Sequence, residues 1–150
     1  MQGFNNQFNK NRPHQNKWQQ GPVVEEKYTI KNPLKQEWFT DGADENLVSY
    51  AEKAGKEMAD GKLTNSKIRS IFGEIKRIQM AGFNNEKPSF YLLRPKVAYA
   101  YGRDRDITGL KVFKDIFDDA YKYVKDEKSF LRFCDFMEAI LAYHRANGGK

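Results

Sequence analysis

The chain has 150 residues, a formal net charge of +6 and a single cysteine. This length favours one domain, and a lone cysteine excludes an internal disulfide, so we interpret Cys134 as a small buried hydrophobic residue. No apolar run reaches the roughly 18 residues that a membrane-spanning helix needs, and the Asn- and Gln-rich beginning differs from a signal peptide. We therefore expect a cytoplasmic protein without a membrane segment.

Residues 1–33 are expected to form a disordered leader. The opening stretch MQGFNNQFNKNRPHQNKWQQGP is nearly half Asn and Gln, and it carries too little apolar surface to offset the entropy lost on ordering. Its aromatic residues Phe4, Phe8 and Trp18 are interleaved with basic ones and could stack on single-stranded bases, but an unstructured extension is the simpler interpretation. Residues 34–150 are expected to form one helical-bundle domain.

Apolar periodicity predicts an all-α, compact bundle of about five helices, and no stretch alternates as a strand does. The predicted helices span about 44–59, 66–81, 88–102, 108–124 and 127–146. The candidate N-terminal caps are Thr64 or Asn65 for the second helix, Asp106 or Thr108 for the fourth and Asp126 for the fifth. Pro95 lacks a backbone donor and disfavours helical angles at Arg94, so we expect a kink or a new helix start there.

The sequence offers little for catalysis. Its two histidines, His14 in the leader and His144 near the end of the last helix, are too far apart for a metal-ligand pair, and we interpret His144 as structural. There is no glycine-rich phosphate loop and no nucleophile elbow. Asp104 and Asp106 could hold Mg²⁺, but the flanking arginines and the nearby helix start favour capping and ion pairing. We predict no enzymatic activity, no cofactor and no metal.

Positive charge is concentrated in the middle of the chain. Residues 61–103 contain nine basic and two acidic residues, whereas residues 34–60 contain three basic and seven acidic ones. A local excess of this kind indicates a polyanionic partner, although an ordinary solvated basic surface is the open alternative.

One flank of the second helix could meet a sugar–phosphate backbone. At 100° per residue, this flank carries Ser66, Arg69, Gly73, Lys76 and Arg77. A glycine inside a helix costs about 1 kcal/mol relative to alanine, and an exposed one permits close approach of another backbone. The alternative is a helix-packing contact at Gly73 with an ordinary solvated basic face.

The segment PKVAYAYGRDR gives the third helix a second candidate face. Leu92, Lys96, Tyr99 and Arg103 share this face if the helix continues through Pro95. The two cations then lie about 11 Å apart by helical rise, within reach of phosphates one or two nucleotides apart, and the phenol between them can hydrogen-bond or stack. No residue here reads a base edge, so binding would be independent of sequence. The alternative for Tyr99 is burial against a neighbouring helix.

Three segments in this order and spacing resemble a known family: LTNSKIRSIFGEI at 63–75, LRPKVAYAYGR at 93–103 and FCDFMEAILAYHR at 133–145. The chain is similar over about 61–149 to the small helical subunit of type III-A CRISPR (Csm) effector complexes. The resemblance implies a non-catalytic protein of antiviral defence, several copies of which stack along the guide RNA/target RNA duplex. It also implies contact with the repeated backbone subunits and the large cyclase subunit.

The predicted RNA-binding residues come from two sources. The resemblance assigns this role to Arg69, Lys96, Arg103 and Arg145. The helical wheel adds Lys62, Lys76 and Arg77. The alternative function is a helical protein–protein adaptor without direct RNA contact, in which the acidic first helix meets the basic face of the next copy. The acidic residues concerned are Asp41, Asp44, Glu45, Glu52 and Glu57.

Overall fold

The structure, a computed structural model, describes residues 33–150, and this part of the chain is helical without any strand. Its helices are α1 (Glu37–Thr40), α2 (Glu45–Asp60), α3 (Asn65–Ala81), α4 (Lys87–Arg103), α5 (Thr108–Tyr121) and α6 (Glu127–Ala146), with a 3-10 turn at Phe83–Asn85. The all-α prediction is confirmed. None of these helices is long and apolar enough to cross a bilayer. The expected leader, with His14, lies outside the described residues apart from its last position.

The helix α6 is the centre of the bundle. It packs against α1, α2 and α3, while α5 contacts α2 and α4, and α3 also contacts α4. Phe90 of α4 joins these layers, because its ring lies 4.9 Å from that of Tyr121 and 5.7 Å from those of Phe130 and Phe133. Aromatic pairs of this kind contribute about 0.5–1.5 kcal/mol each beyond area burial. The predicted core faces of the long helices converge on one hydrophobic core.

The short helix α1 is missing from the sequence-based assignment. Its Trp38 and Phe39 are only 2% and 1% exposed, and Trp38 donates its indole N–H to Asp44 at 2.9 Å. Four residues are too few to show a helical period. The described part of the chain thus contains six helices rather than about five.

Two predicted helix starts are confirmed. Thr64 is the N-cap residue of α3, although its side chain makes no capping hydrogen bond. Asp126 caps α6 by accepting from the Ser129 N–H at 2.8 Å, and the Ser129 hydroxyl accepts from the Asp126 N–H in return. The hydrogen bond from the Ser129 backbone lowers the pKa of Asp126. Such reciprocal bonding is a capping box.

The predicted start of α5 at Thr108 is confirmed, but its predicted cap and its predicted end were wrong. Its N-cap residue is Ile107, not Asp106 or Thr108, and it makes no side-chain cap. Ile107 is partly buried against the core, so packing rather than capping fixes this start. The helix ends at Tyr121 instead of 124, because the N–H groups of residues 123 and 124 bond three residues back rather than four.

Pro95 does not interrupt α4. The helix is continuous from Lys87 to Arg103, so the predicted new start at Pro95 is wrong. Pro95 lies on the exposed side of the helix, where water can reach the carbonyl that loses its donor. The residues on either side of Pro95 consequently keep one helical register.

Two helical glycines have opposite surroundings. A Cβ atom at Gly55 would lie 2.6 Å from the carbonyl carbon and from the Cβ of Tyr143, so α2 and α6 approach each other only because this side chain is missing. A Cβ atom at Gly73 would meet nothing within 4 Å. The helix-packing alternative for Gly73 therefore does not hold within residues 33–150.

These glycines provide a matched test of the packing. We expect Gly55→Ala to lower the free energy of unfolding by about 1–3 kcal/mol, because overpacking forces α2 and α6 apart. The same change at Gly73 should raise it by up to about 1 kcal/mol through helix propensity. Urea unfolding followed by circular dichroism measures both. Equal effects at the two positions would contradict this account of the α2–α6 contact.

Candidate nucleic-acid interface

The continuous α4 presents the predicted face to solvent. Leu92, Lys96, Tyr99 and Arg103 are all exposed, with exposed fractions of 57% for Leu92 and 69% for Tyr99. The alternative that Tyr99 is buried against a neighbouring helix is therefore wrong for the described part of the chain. Lys96 and Arg103 are seven residues, or about 11 Å, apart along the helix axis.

This face forms one wall of a groove, and α3 forms the other wall. The groove, which we call the α3–α4 groove, has a volume of about 660 Å³. Its lining includes Ser66, Ser70 and Ile71 from α3 and Leu92, Pro95, Lys96, Tyr99 and Arg103 from α4. The surface is thus mixed, with apolar side chains, hydroxyl groups, the two predicted cations Lys96 and Arg103, and the charged pair of Lys67 and Asp104 along one channel.

A second groove lies on the other side of α3, against α6. We call it the α3–α6 groove, and it has a volume of about 400 Å³. It is lined by Asn65, Ser66, Ile68, Arg69, Phe72, Leu141 and Arg145. Ser66 borders both grooves, so the N-terminal half of α3 separates two channels that each contain two predicted RNA-binding cations.

The predicted cations of the two grooves have no direct carboxylate partner. Arg69, Lys96, Arg103 and Arg145 are exposed, and their side chains make no hydrogen bond or ion pair with any other residue of 33–150. The pKa of Glu74 is lowered mainly by its hydrogen bond with Arg77, and the charge of the more distant Lys96 also lowers it. The charges of these four groups are therefore available to a ligand.

Lys76 and Arg77, farther along α3, are paired instead. Lys76 forms an ion pair with Glu138 of α6, and this hydrogen bond raises the pKa of Lys76. Arg77 binds Glu74 at 2.7 Å and Glu86 at 3.1 Å, and its hydrogen bonds lower the pKa of both carboxyl groups. RNA binding by Lys76 or Arg77 stays a prediction, and it requires a phosphate to replace these carboxylates.

Lys62 lies apart from both grooves. It is exposed in the turn between α2 and α3 and has a φ of +64°, which is uncommon for a residue with a side chain. Its predicted role in RNA binding is likewise not supported by any contact with the other predicted residues.

The candidate catalytic groups are buried or paired. His144 is 0% exposed, and its Nε2 lies 2.7 Å from the Leu63 carbonyl, to which it donates. Burial raises the pKa of Cys134 to about 12, which agrees with a buried hydrophobic role. Asp104 forms an ion pair with Lys67 of α3 at 3.0 Å rather than the expected local pair with a flanking arginine.

Two groove residues were missed from the sequence. Ser70 lies one turn after Ser66 and could have been found on the same helical wheel. Lys67 joins the start of α3 to the end of α4 through Asp104, which is 37 residues away. No local pattern reports such a distant contact, so only the tertiary structure identifies it.

Comparison with known proteins agrees with this architecture. The family model described as Csm2 Type III-A matches residues 41–150, which include both grooves. The curated "CRISPR system Cms protein Csm2" of Streptococcus thermophilus is 33% identical over 116 residues, which cover 71% of this chain and 95% of the relative. No solved structure gives a significant match. The chain belongs to the Csm2 family, the small subunit of type III-A Csm complexes.

Proposed function

We propose that the chain is a non-catalytic, RNA-binding subunit that stacks along the guide RNA/target RNA duplex of a type III-A CRISPR-Cas interference complex. The observation that carries this proposal is the set of four unpaired cations that line the two grooves beside α3. Family membership places the chain in a Csm complex with other subunits. We expect the backbone subunits, the large cyclase subunit and further copies of this chain to be its neighbours.

The chemistry of the grooves favours contacts with the RNA backbone. Guanidinium and ammonium groups bind phosphate oxygens, and these contacts fix position without carrying sequence information. Gly73 supports such an approach, because it leaves bare backbone on the exposed side of α3. A subunit that must accept any guide sequence needs binding of this kind.

The state of the candidate groups supports the non-catalytic part of the proposal. His144 is enclosed and donates to a backbone carbonyl, so it cannot reach a substrate as a general acid or base. Incubation of the purified chain with labelled RNA and Mg²⁺ or Mn²⁺ tests this, and we expect the RNA to remain intact. Cleavage that copurifies with the chain and requires His144 would contradict the proposal.

The α3–α4 groove yields a first test. We expect Lys96→Ala/Arg103→Ala to weaken binding of RNA of any sequence. The slope of log affinity against log salt should become shallower by about 0.7 per lost phosphate contact on single strands. Fluorescence anisotropy at several salt concentrations measures both quantities, while circular dichroism checks that the helical fold persists.

The matched control for this variant is Lys35→Ala/Lys53→Ala. It removes the same charge from exposed residues that line neither groove, so affinity should change less and the slope should be kept. Equal losses of RNA affinity in the two double variants would show that net charge alone causes the effect. Binding that is absent at all salt concentrations, together with RNA-free oligomers in light scattering, would favour the adaptor function.

The ion pair between Lys76 and Glu138 yields a second test. Glu138→Gln should free the Lys76 ammonium on the same exposed side of α3 as Arg69. We expect tighter RNA binding and a salt slope steeper by about 0.7. Glu52→Gln on α2 makes the same change in net charge away from the grooves and is the control. An unchanged slope in Glu138→Gln would remove Lys76 from the RNA-binding residues.

A further inference from the structure

The outer side of α4 is unusually apolar for an exposed helix face. Leu92 and Tyr99 are 57% and 69% exposed, and they lie with Pro95 along the α3–α4 groove. Single exposed apolar residues are ordinary on protein surfaces. Here they are contiguous, and they form a concave surface, which is typical of a ligand-binding site.

Tyr99 has no role in the fold that would account for its position. Its ring makes no aromatic pair and its hydroxyl no hydrogen bond with another residue of 33–150. The buried ring of Phe90, which is also on α4, differs in this respect. It contacts four aromatic residues of the core and of the turn before α4. The phenol ring of Tyr99 is thus a flat surface open to solvent.

The charges around Tyr99 restrict what can cover it. Lys96 precedes it by three residues and Arg103 follows it by four, and neither has a carboxylate partner in the described part of the chain. A ligand that matches this pattern combines a planar apolar surface with negative charge on both sides. A nucleotide within an RNA strand has this composition, with a base between two phosphates.

The exposed ring of Tyr99 indicates whether the bound RNA is paired or unpaired. In a duplex, the faces of the bases are covered by their neighbours, and taking one out costs a few kcal/mol. An unpaired base has a free face and stacks readily on an aromatic side chain. The ring of Tyr99 therefore adds affinity for single-stranded RNA and little for a continuous duplex.

We propose that the α3–α4 groove binds an unpaired RNA nucleotide, with its base stacked on Tyr99 and its flanking phosphates on Lys96 and Arg103. This inference rests on the proposed RNA-binding function and names the form of RNA that the groove selects. It places the groove at positions where guide and target strands are not paired with each other. Because every base has a π-face, the stacking stays independent of sequence.

The test compares Tyr99→Ala and Tyr99→Phe in the full chain. The probes are a short single-stranded oligouridine that carries one 2-aminopurine and the same strand paired with an oligoadenosine that carries one uridine opposite the 2-aminopurine. Tyr99→Ala should weaken single-strand binding by about 5- to 150-fold, whereas Tyr99→Phe keeps the ring and should bind as the wild type does. The 2-aminopurine fluorescence should be quenched on binding to the wild type but not to Tyr99→Ala.

Two readouts separate stacking from charge. The salt slope should be the same in Tyr99→Ala as in the wild type, because no cation is lost, and duplex affinity should be unchanged. Tyr91→Ala is the matched control, since Tyr91 is a 54% exposed tyrosine of α4 outside the groove lining. It should leave single-strand binding intact.

The outcomes distinguish this inference from the function on which it rests. Salt-dependent RNA binding that Tyr99→Ala does not weaken, or weakens equally for the duplex, would overturn the inference alone. Wild-type chain that binds neither probe would overturn both. If poly-glutamate competes with RNA and its binding also needs the Tyr99 ring, the groove is a site for acidic protein segments and the inference fails.

Discussion

The candidate interface depends on one constraint, the unbroken passage of α4 through Pro95. Phe90 before the proline and Val97 after it are both buried in the same core, at 1% and 0% exposure. Since the helical register is kept between them, Lys96 and Arg103 lie two turns apart on one exposed flank of the helix. Tertiary packing thus keeps α4 helical at Pro95, a residue that disfavours a helix interior. The α3–α4 groove depends on this continuity.

The basic residues of α3 differ in what their charges can do. Surface ion pairs such as those of Lys76 and Arg77 are screened by solvent, so they add little to the stability of the fold. Their effect on ligands is larger, because a compensated cation attracts a phosphate less than a free one. The N-terminal half of α3, with Arg69 in the α3–α6 groove, is therefore the part of the helix whose charge is available to the proposed RNA ligand. The excess of basic residues in 61–103 overstates the positive potential of this surface.

Much of this molecule could be predicted from its sequence, because the signals are local. The long helices follow from apolar periodicity, and Asp126 is a cap recognisable from neighbouring residues. The face that carries Tyr99 follows from the helical wheel. What could not be predicted depends on contacts between distant parts of the chain. Trp38 belongs to a helix too short to show a period, and the pairing of Lys76 with Glu138 joins residues that only the bundle brings together.

The two kinds of contact proposed for the α3–α4 groove serve different requirements. Contacts of cations with phosphates act at long range and weaken as salt rises, so they attract RNA of any sequence and in either pairing state. Stacking acts only at contact and is nearly independent of salt, and it distinguishes a free base from a paired one. A subunit that combines them can remain indifferent to sequence while responding to whether a strand is paired. Under the proposed function, pairing state is the property of the RNA to which this chain responds whatever the guide sequence.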